Sequence, residues 1–139
     1  MRHLVEEAGL TQAVGVESAG TGGWHVGELR DKRSREVAER RGIPIVGRAR
    51  QFVAADFDRF DYVIAMDRQN QHDLLQRAPD DRARAKVSLL RAFAPAEGPS
   101  QPDVPDPYYG GPEGFDRVVD ICMSACGGLL AQIRRDRSL

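Results

Sequence analysis

Tyr62-Val63-Ile64-Ala65-Met66 is the stretch whose reading decides the fold. It is a continuous apolar run, the pattern of a strand buried on both faces in a parallel sheet. Asp67 follows at once and can cap a helix running to about Ala78, with Leu74 and Leu75 on its inner face and Pro79 as its stop. Lys86-Val87-Ser88-Leu89-Leu90 then reads as another strand. Strand, helix, strand in this order argues for parallel pairing with a helix covering the sheet.

Outward toward the N-terminus, Asp56 to Phe60 reads as a helical turn, and Ile43 to Phe52 leaves helix and strand both open. Asp31 can cap a helix to about Arg41, with Val37 and Ala38 inward and Gly42 as its stop. Val14-Gly15-Val16-Glu17-Ser18-Ala19 is expected to form a third strand that runs into a turn, Gly20-Thr21-Gly22-Gly23. Leu4, Val5 and Ala8 share one face of a short helix ended by Gly9, and no capping side chain stands before it. The chain therefore reads as starting within an element. Toward the C-terminus, a Pro-rich stretch from Pro95 to Pro112 is either a functional loop or a linker. A last helix is expected from about Glu113 to Arg135, with Phe115, Val118, Val119, Cys122, Leu129, Leu130 and Ile133 as core contacts. No repeat or domain boundary interrupts residues 1–139, so the expectation is one α/β domain, a small parallel sheet with helices on both faces. Three strands are few for four helices, and a further N-terminal strand is expected ahead of Met1.

Composition agrees with this class. The 139 residues, 15.4 kDa, are 41% hydrophobic and 29% charged, enough for one core and too polar for a membrane span. A formal charge of -1 supplies no global field for nucleic acid. Glu6 and Glu7 interrupt the place where a secretory signal would need an apolar run, and two cysteines make no disulfide scaffold. A cytoplasmic protein without nucleic-acid or membrane partners is expected. Eighteen arginines against two lysines hint at planar anion recognition, although coding bias explains the same ratio.

The most specific chemistry lies in Val104-Pro105-Asp106-Pro107-Tyr108-Tyr109-Gly110-Gly111. Pro107 restricts Asp106, the glycines permit a tight bend, and two tyrosines offer aromatic walls with hydroxyl tips. An isolated Asp-Pro is ordinarily a surface turn, but the whole stretch resembles the general-acid loop of the low-molecular-weight protein tyrosine phosphatases. Ser18-Ala19-Gly20-Thr21-Gly22 with Trp24-His25-Val26-Gly27, then Arg48-Ala49-Arg50-Gln51, then Phe60 to Asp67 resemble further blocks of that family in the same order. The resemblance implies hydrolysis of phosphotyrosine proteins or small aryl phosphates through a cysteinyl-phosphate, without a cofactor or metal. It makes Asp106 the general acid and then base, with Asp103 as the alternative. It makes Trp24, Tyr108 and Tyr109 the cleft walls and Ser18 a support of the phosphate loop.

Departures from the pattern matter as much. The family's first strand and its phosphate loop of Cys, five residues, then Arg are not found in this chain, so nucleophile and phosphate-binding Arg have no candidates and the chain as written is expected to be inactive. Gly47 stands where the family commonly has His, and Leu29-Arg30 where it has Pro-Pro. Cys122 and Cys126, one helical turn apart, read as packing residues. His3, His25 and His72 read as surface histidines, and Arg50 as a surface or structural pair. A non-catalytic binding or regulatory module and an arsenate reductase-like relative are the alternatives; the cysteines are badly placed for the latter's relay. The implied sheet order puts the missing first strand at the centre. Val14 to Ser18 is then expected to shift onto Tyr62 to Met66 or to pair in a strand-exchanged homodimer.

Overall fold

The computed structural model describes residues 1–22, 32–43, 50–94, 103–105 and 112–139. Its elements in chain order are α1 (Arg2–Glu7), α2 (Lys32–Arg40), α3 (Asp56–Arg59), β1 (Val63–Ala65), α4 (Arg68–Arg77), α5 (Asp81–Ala85), β2 (Val87–Leu89) and α6 (Pro112–Arg137), with a 3₁₀ turn at Leu90–Phe93 before α6. They fall into two compact units, Ser18–Leu89 and Met1–Glu17 with Leu90–Leu139.

In the Ser18–Leu89 unit the decisive stretch is the strand it was read to be. β1 pairs with β2 in parallel, Val63 opposite Val87, Ile64 opposite Ser88 and Ala65 opposite Leu89. Asp67 starts α4 by accepting the Asn70 N–H at 2.7 Å, one of the donors a helix start leaves unpaired. Ala78 turns extended at its end, as a residue before proline must. Asp80 caps α5 in the same manner through the Ala83 N–H at 2.8 Å, a short helix that the sequence reading does not contain. Phe57, Val63, Ala65, Leu74, Ala78 and Ala83 form the core, with Phe52, Phe60, Val87 and Leu89 packed on it. Phe52 meets Phe57 edge to face with centroids 5.0 Å apart. α2 buries Val37 and Ala38 as expected, and Gly42 leaves it at φ +73°, a conformation open to glycine at little cost.

The other unit is built on α6, which buries Phe115, Ala125, Cys126, Leu129, Leu130 and Ile133. The spacing from Ala125 to Ile133 is the stripe of an amphipathic helix. The Leu90–Phe93 turn packs on it with Leu90 buried, and Arg91 Nη1 donates to the Asp103 carbonyl at 2.9 Å. α1 contributes the buried Val5.

One expected element is corrected. Val14 to Ala19 is not a strand. Its Val14 N–H closes a turn on the Leu10 carbonyl at 2.9 Å, and Arg2 Nε donates to the Val16 carbonyl at 2.9 Å. Ladder contact begins only at Gly20, which bridges Gln51 in parallel. Nor has the segment moved onto β1, whose only strand partner among the described residues is β2. β-propensity in Val14 and Val16 expresses itself only against a neighbouring strand, and Gly15 between them adds backbone entropy and no packing.

Candidate functional site

Of the residues singled out for chemistry, Ser18 is described: it is exposed and opens the turn that leads through Gly20 to Gly22. Trp24, Asp106, Tyr108 and Tyr109 lie outside the described residues, as do His25, Leu29, Arg30 and Gly47. What the structure does describe is the mounting of the Ser18–Gly22 turn, and it is built by residues far away in sequence.

Gly20 donates its N–H to the Arg50 carbonyl at 2.9 Å and accepts the Phe52 N–H at 2.8 Å. From the last turn of α4, Arg77 reaches the same place. Its Nη2 donates to the Thr21 carbonyl at 2.6 Å and its Nη1 to the Phe52 carbonyl at 3.4 Å. Gln51 Nε2 adds a weaker bond to the Thr21 carbonyl at 3.4 Å.

Arg50, whose carbonyl accepts the Gly20 N–H, is paired with Asp56, 1% exposed and the only buried charged side chain among the described residues. Its Oδ2 accepts from Arg50 Nη1 and from the Val53 N–H, each at 2.9 Å, and its Oδ1 accepts from Arg50 Nη2 at 3.3 Å and Arg59 Nη1 at 3.4 Å. A forked guanidinium contact of this kind recognises a carboxylate by shape as well as charge. The Arg50 hydrogen bond holds the Asp56 carboxyl below its ordinary value; burial works against it, and the Val53 N–H with the charges of Arg50 and Arg59 adds to the lowering. Arg50 is thus the structural pair it was read to be. Asp56 and Arg77 escaped the sequence reading, because an Asp opening a short helix and an Arg closing another are satisfied locally by capping and dipole arguments.

The remaining candidates stay structural. Cys126 is buried and Cys122 half-buried. Burial first, then the neighbouring Cys126, pushes the Cys122 thiol up to about 11, the opposite of what a nucleophile needs. His72 is exposed, and His3 lies 3.1 Å from Glu7 on α1. Among the described residues no group of three or more His, Cys, Asp or Glu could hold a metal, and no helix is long and apolar enough to cross a membrane.

A parallel sheet with a capped crossover helix, and a braced turn of small residues beside it, defines an α/β protein of the kind that carries its chemistry on loops. Residues 1–139 match the family described as "Low molecular weight phosphotyrosine protein phosphatase", and the chain belongs to that family. The "Low molecular weight protein-tyrosine-phosphatase" of Streptomyces coelicolor is 45% identical over 133 residues, 96% of this chain and 81% of that protein. The human "Low molecular weight phosphotyrosine protein phosphatase" is 34% identical over 130 residues, 93% of this chain and 80% of that protein. Among solved structures, a protein tyrosine phosphatase from Entamoeba histolytica with Hepes in its active site superimposes with a TM-score of 0.91 at 35% identity, covering 98% of this chain and 85% of that one. The small parallel sheet flanked by helices is the fold of these phosphatases.

Proposed function

We propose that this chain carries the general-acid and substrate-cleft portion of a phosphotyrosine or aryl phosphate monoesterase, as one domain acting in the cytoplasm. The family match across residues 1–139 carries the reading, and the Val104 to Gly111 stretch supports it. In the complete reaction a cysteine thiolate attacks phosphorus as the bond to the aryl oxygen breaks, and Asp106 gives its proton to that leaving oxygen. Asp106, now ionised, takes a proton from water, whose oxygen attacks the cysteinyl-phosphate and releases phosphate and thiolate. Trp24, Tyr108 and Tyr109 flank the aryl ring, and Ser18 supports the loop that holds the phosphate.

The thiolate and its partner Arg are outside what these 139 residues supply. Cys122 and Cys126 are followed at the sixth position by Gly128 and Gln132. The purified chain is therefore proposed to release no phenol from an aryl phosphate above buffer. A form extended upstream by a strand and a Cys-x5-Arg loop is proposed to turn over, and Asp106→Asn in that form to slow poor leaving groups by roughly 10²–10⁴-fold. Hydrolysis by the 139-residue chain that co-purifies with it and is lost in Cys122→Ser or Cys126→Ser would overturn the assignment. Retained hydrolysis in the extended Asp106→Asn would move the acid elsewhere, Asp103 first.

A further inference from the structure

We propose that Asp56 is a positioning residue for the Ser18–Gly22 turn, acting through Arg50, whose backbone receives that turn. The inference rests on the reading of Ser18 as the support of a phosphate-holding loop and adds a residue that reading does not contain. Gly20 meets its neighbour through two backbone bonds, donating its N–H to the Arg50 carbonyl at 2.9 Å and accepting the Phe52 N–H at 2.8 Å. An acceptor on one residue and a donor two residues on make half of a parallel rung, and they receive Gly20 only while both point the same way. The Asp56 carboxylate holds this half-rung from both ends. At one end it accepts from Arg50 Nη1 at 2.9 Å and Nη2 at 3.3 Å. At the other its Oδ2 accepts the Val53 N–H at 2.9 Å, and the Asp56 N–H returns to the Val53 carbonyl at 2.9 Å. Arg50 Nη1 also reaches the Gln51 carbonyl at 3.3 Å, so the guanidinium joins the carboxylate to the backbone between those ends.

The two halves of the rung are held differently. Phe52 has an apolar anchor, its ring lying edge to face on the buried Phe57 with centroids 5.0 Å apart, whereas Arg50, one-third exposed, is fixed by its fork on the carboxylate. Ser18 stands two residues before Gly20, which keeps it within about 7 Å of that point. A shift of the Arg50 carbonyl is therefore passed to Ser18 through Gly20 and not through the apolar core. Arg59 touches the same carboxylate at 3.4 Å from outside the Arg50–Val53 segment and supplies the contrast.

The test uses the chain as it exists and reads its native state by NMR, because a lower global stability leaves native-state couplings in place while the chain is folded. In Asp56→Asn the coupling across the Gly20 N–H bond to the Arg50 carbonyl is expected to be lost. The coupling across the Phe52 bond to Gly20 should weaken and persist, and that across the Val63 bond to the Lys86 carbonyl should stay unchanged. Residual dipolar couplings of the Ser18 and Gly20 amides should change in the same variant while those of β1 and α4 still fit one common frame. Arg50→Lys keeps the charge and loses the planar fork, so it should side with Asp56→Asn; being a change at a partly exposed residue, it carries the test if Asp56→Asn does not fold. Arg59→Met should match the parent.

Ser18 and Gly20 dipolar couplings that stay at the parent's values in Asp56→Asn or Arg50→Lys would overturn the proposal. So would an equal change in Arg59→Met, or a loss of all three backbone couplings together. None of these readouts needs substrate or turnover. Failure of an upstream-extended form to hydrolyse aryl phosphates would count against the phosphatase reading and leave the Asp56 result standing.

Discussion

The two units of this chain are held by different physics. The Ser18–Leu89 unit closes a small apolar core around Phe57 and, at its margin, a carboxylate excluded from water among two arginines and a backbone N–H. The unit built on α6 buries, among the described residues, only apolar side chains and a thiol, and it depends on how closely a helix can approach a turn. Charge inside one unit and steric closeness inside the other predict opposite sensitivities, to pH in the first and to volume in the second.

The largest effect should follow from volume. A methyl at Gly128 would stand 1.8 Å from the Phe93 carbonyl oxygen and 2.9 Å from its carbon. Both atoms are backbone, so no flexible side chain can yield, and α6 must part from the Leu90–Phe93 turn. Gly128→Ala is expected to cost about 3 kcal/mol in urea unfolding, with amide exchange rising in α6 and not at Val63 or Ala65. A neutral Gly128→Ala would break the contrast, since it would mean that the turn and helix slide apart freely.

Next in size is the buried charge. Asp56→Asn keeps the shape and removes the charge that Arg50, one-third exposed, and Arg59, half exposed, are set to meet. Because both arginines retain solvent, the expected loss at neutral pH is about 2 kcal/mol, below that of a fully buried pair. Its pH dependence has a definite sign. A carboxyl held below its ordinary value in the folded chain stabilises it at pH above the unfolded carboxyl's titration, and that contribution fades as pH falls through the folded value. The gap between parent and Asp56→Asn should thus be widest at neutral pH and shrink on acidification below about pH 4. A gap that stays constant down to about pH 3 would show that the substitution removes packing and not charge.

These contrasts also mark how far the sequence could be read. β1, β2, α4 with its Asp67 cap and the long α6 were legible, because each is signalled by its own residues: an apolar run, a capping side chain, a repeated stripe. α5 and the Leu90–Phe93 turn were not, being too short to show a period. Val14 to Ala19 misled because strand formation is settled by a partner's backbone, which no local pattern reveals. Ser18 was marked for a site by resemblance alone, while Arg77, which holds the Thr21 carbonyl, and Asp56, which holds Arg50, come from the far end of one helix and the start of another. Long-range polar contacts of this kind leave no spacing to recognise.

The smallest effect belongs to the α6 unit on the alkaline side. Burial, and after it the proximity of Cys126, raises the Cys122 thiol from 9.0 to about 11. The folded chain therefore holds a proton that the unfolded chain releases between those values, and stability falls as pH rises across that window before levelling off. Solvent reaches the half-buried thiol, so the loss is expected to be about 1 kcal/mol and not the full value of the shift. The difference between parent and Cys122→Ala removes from the comparison every contribution the two proteins share. That difference should narrow between about pH 9 and 11 as the parent loses the advantage of its protonated thiol, while Asp56→Asn should follow the parent across the same range. Should Cys122→Ala and parent instead run parallel up to about pH 11, the thiol would be as well solvated folded as unfolded, and the α6 unit would be more open on that face than its buried Ala125 and Cys126 imply.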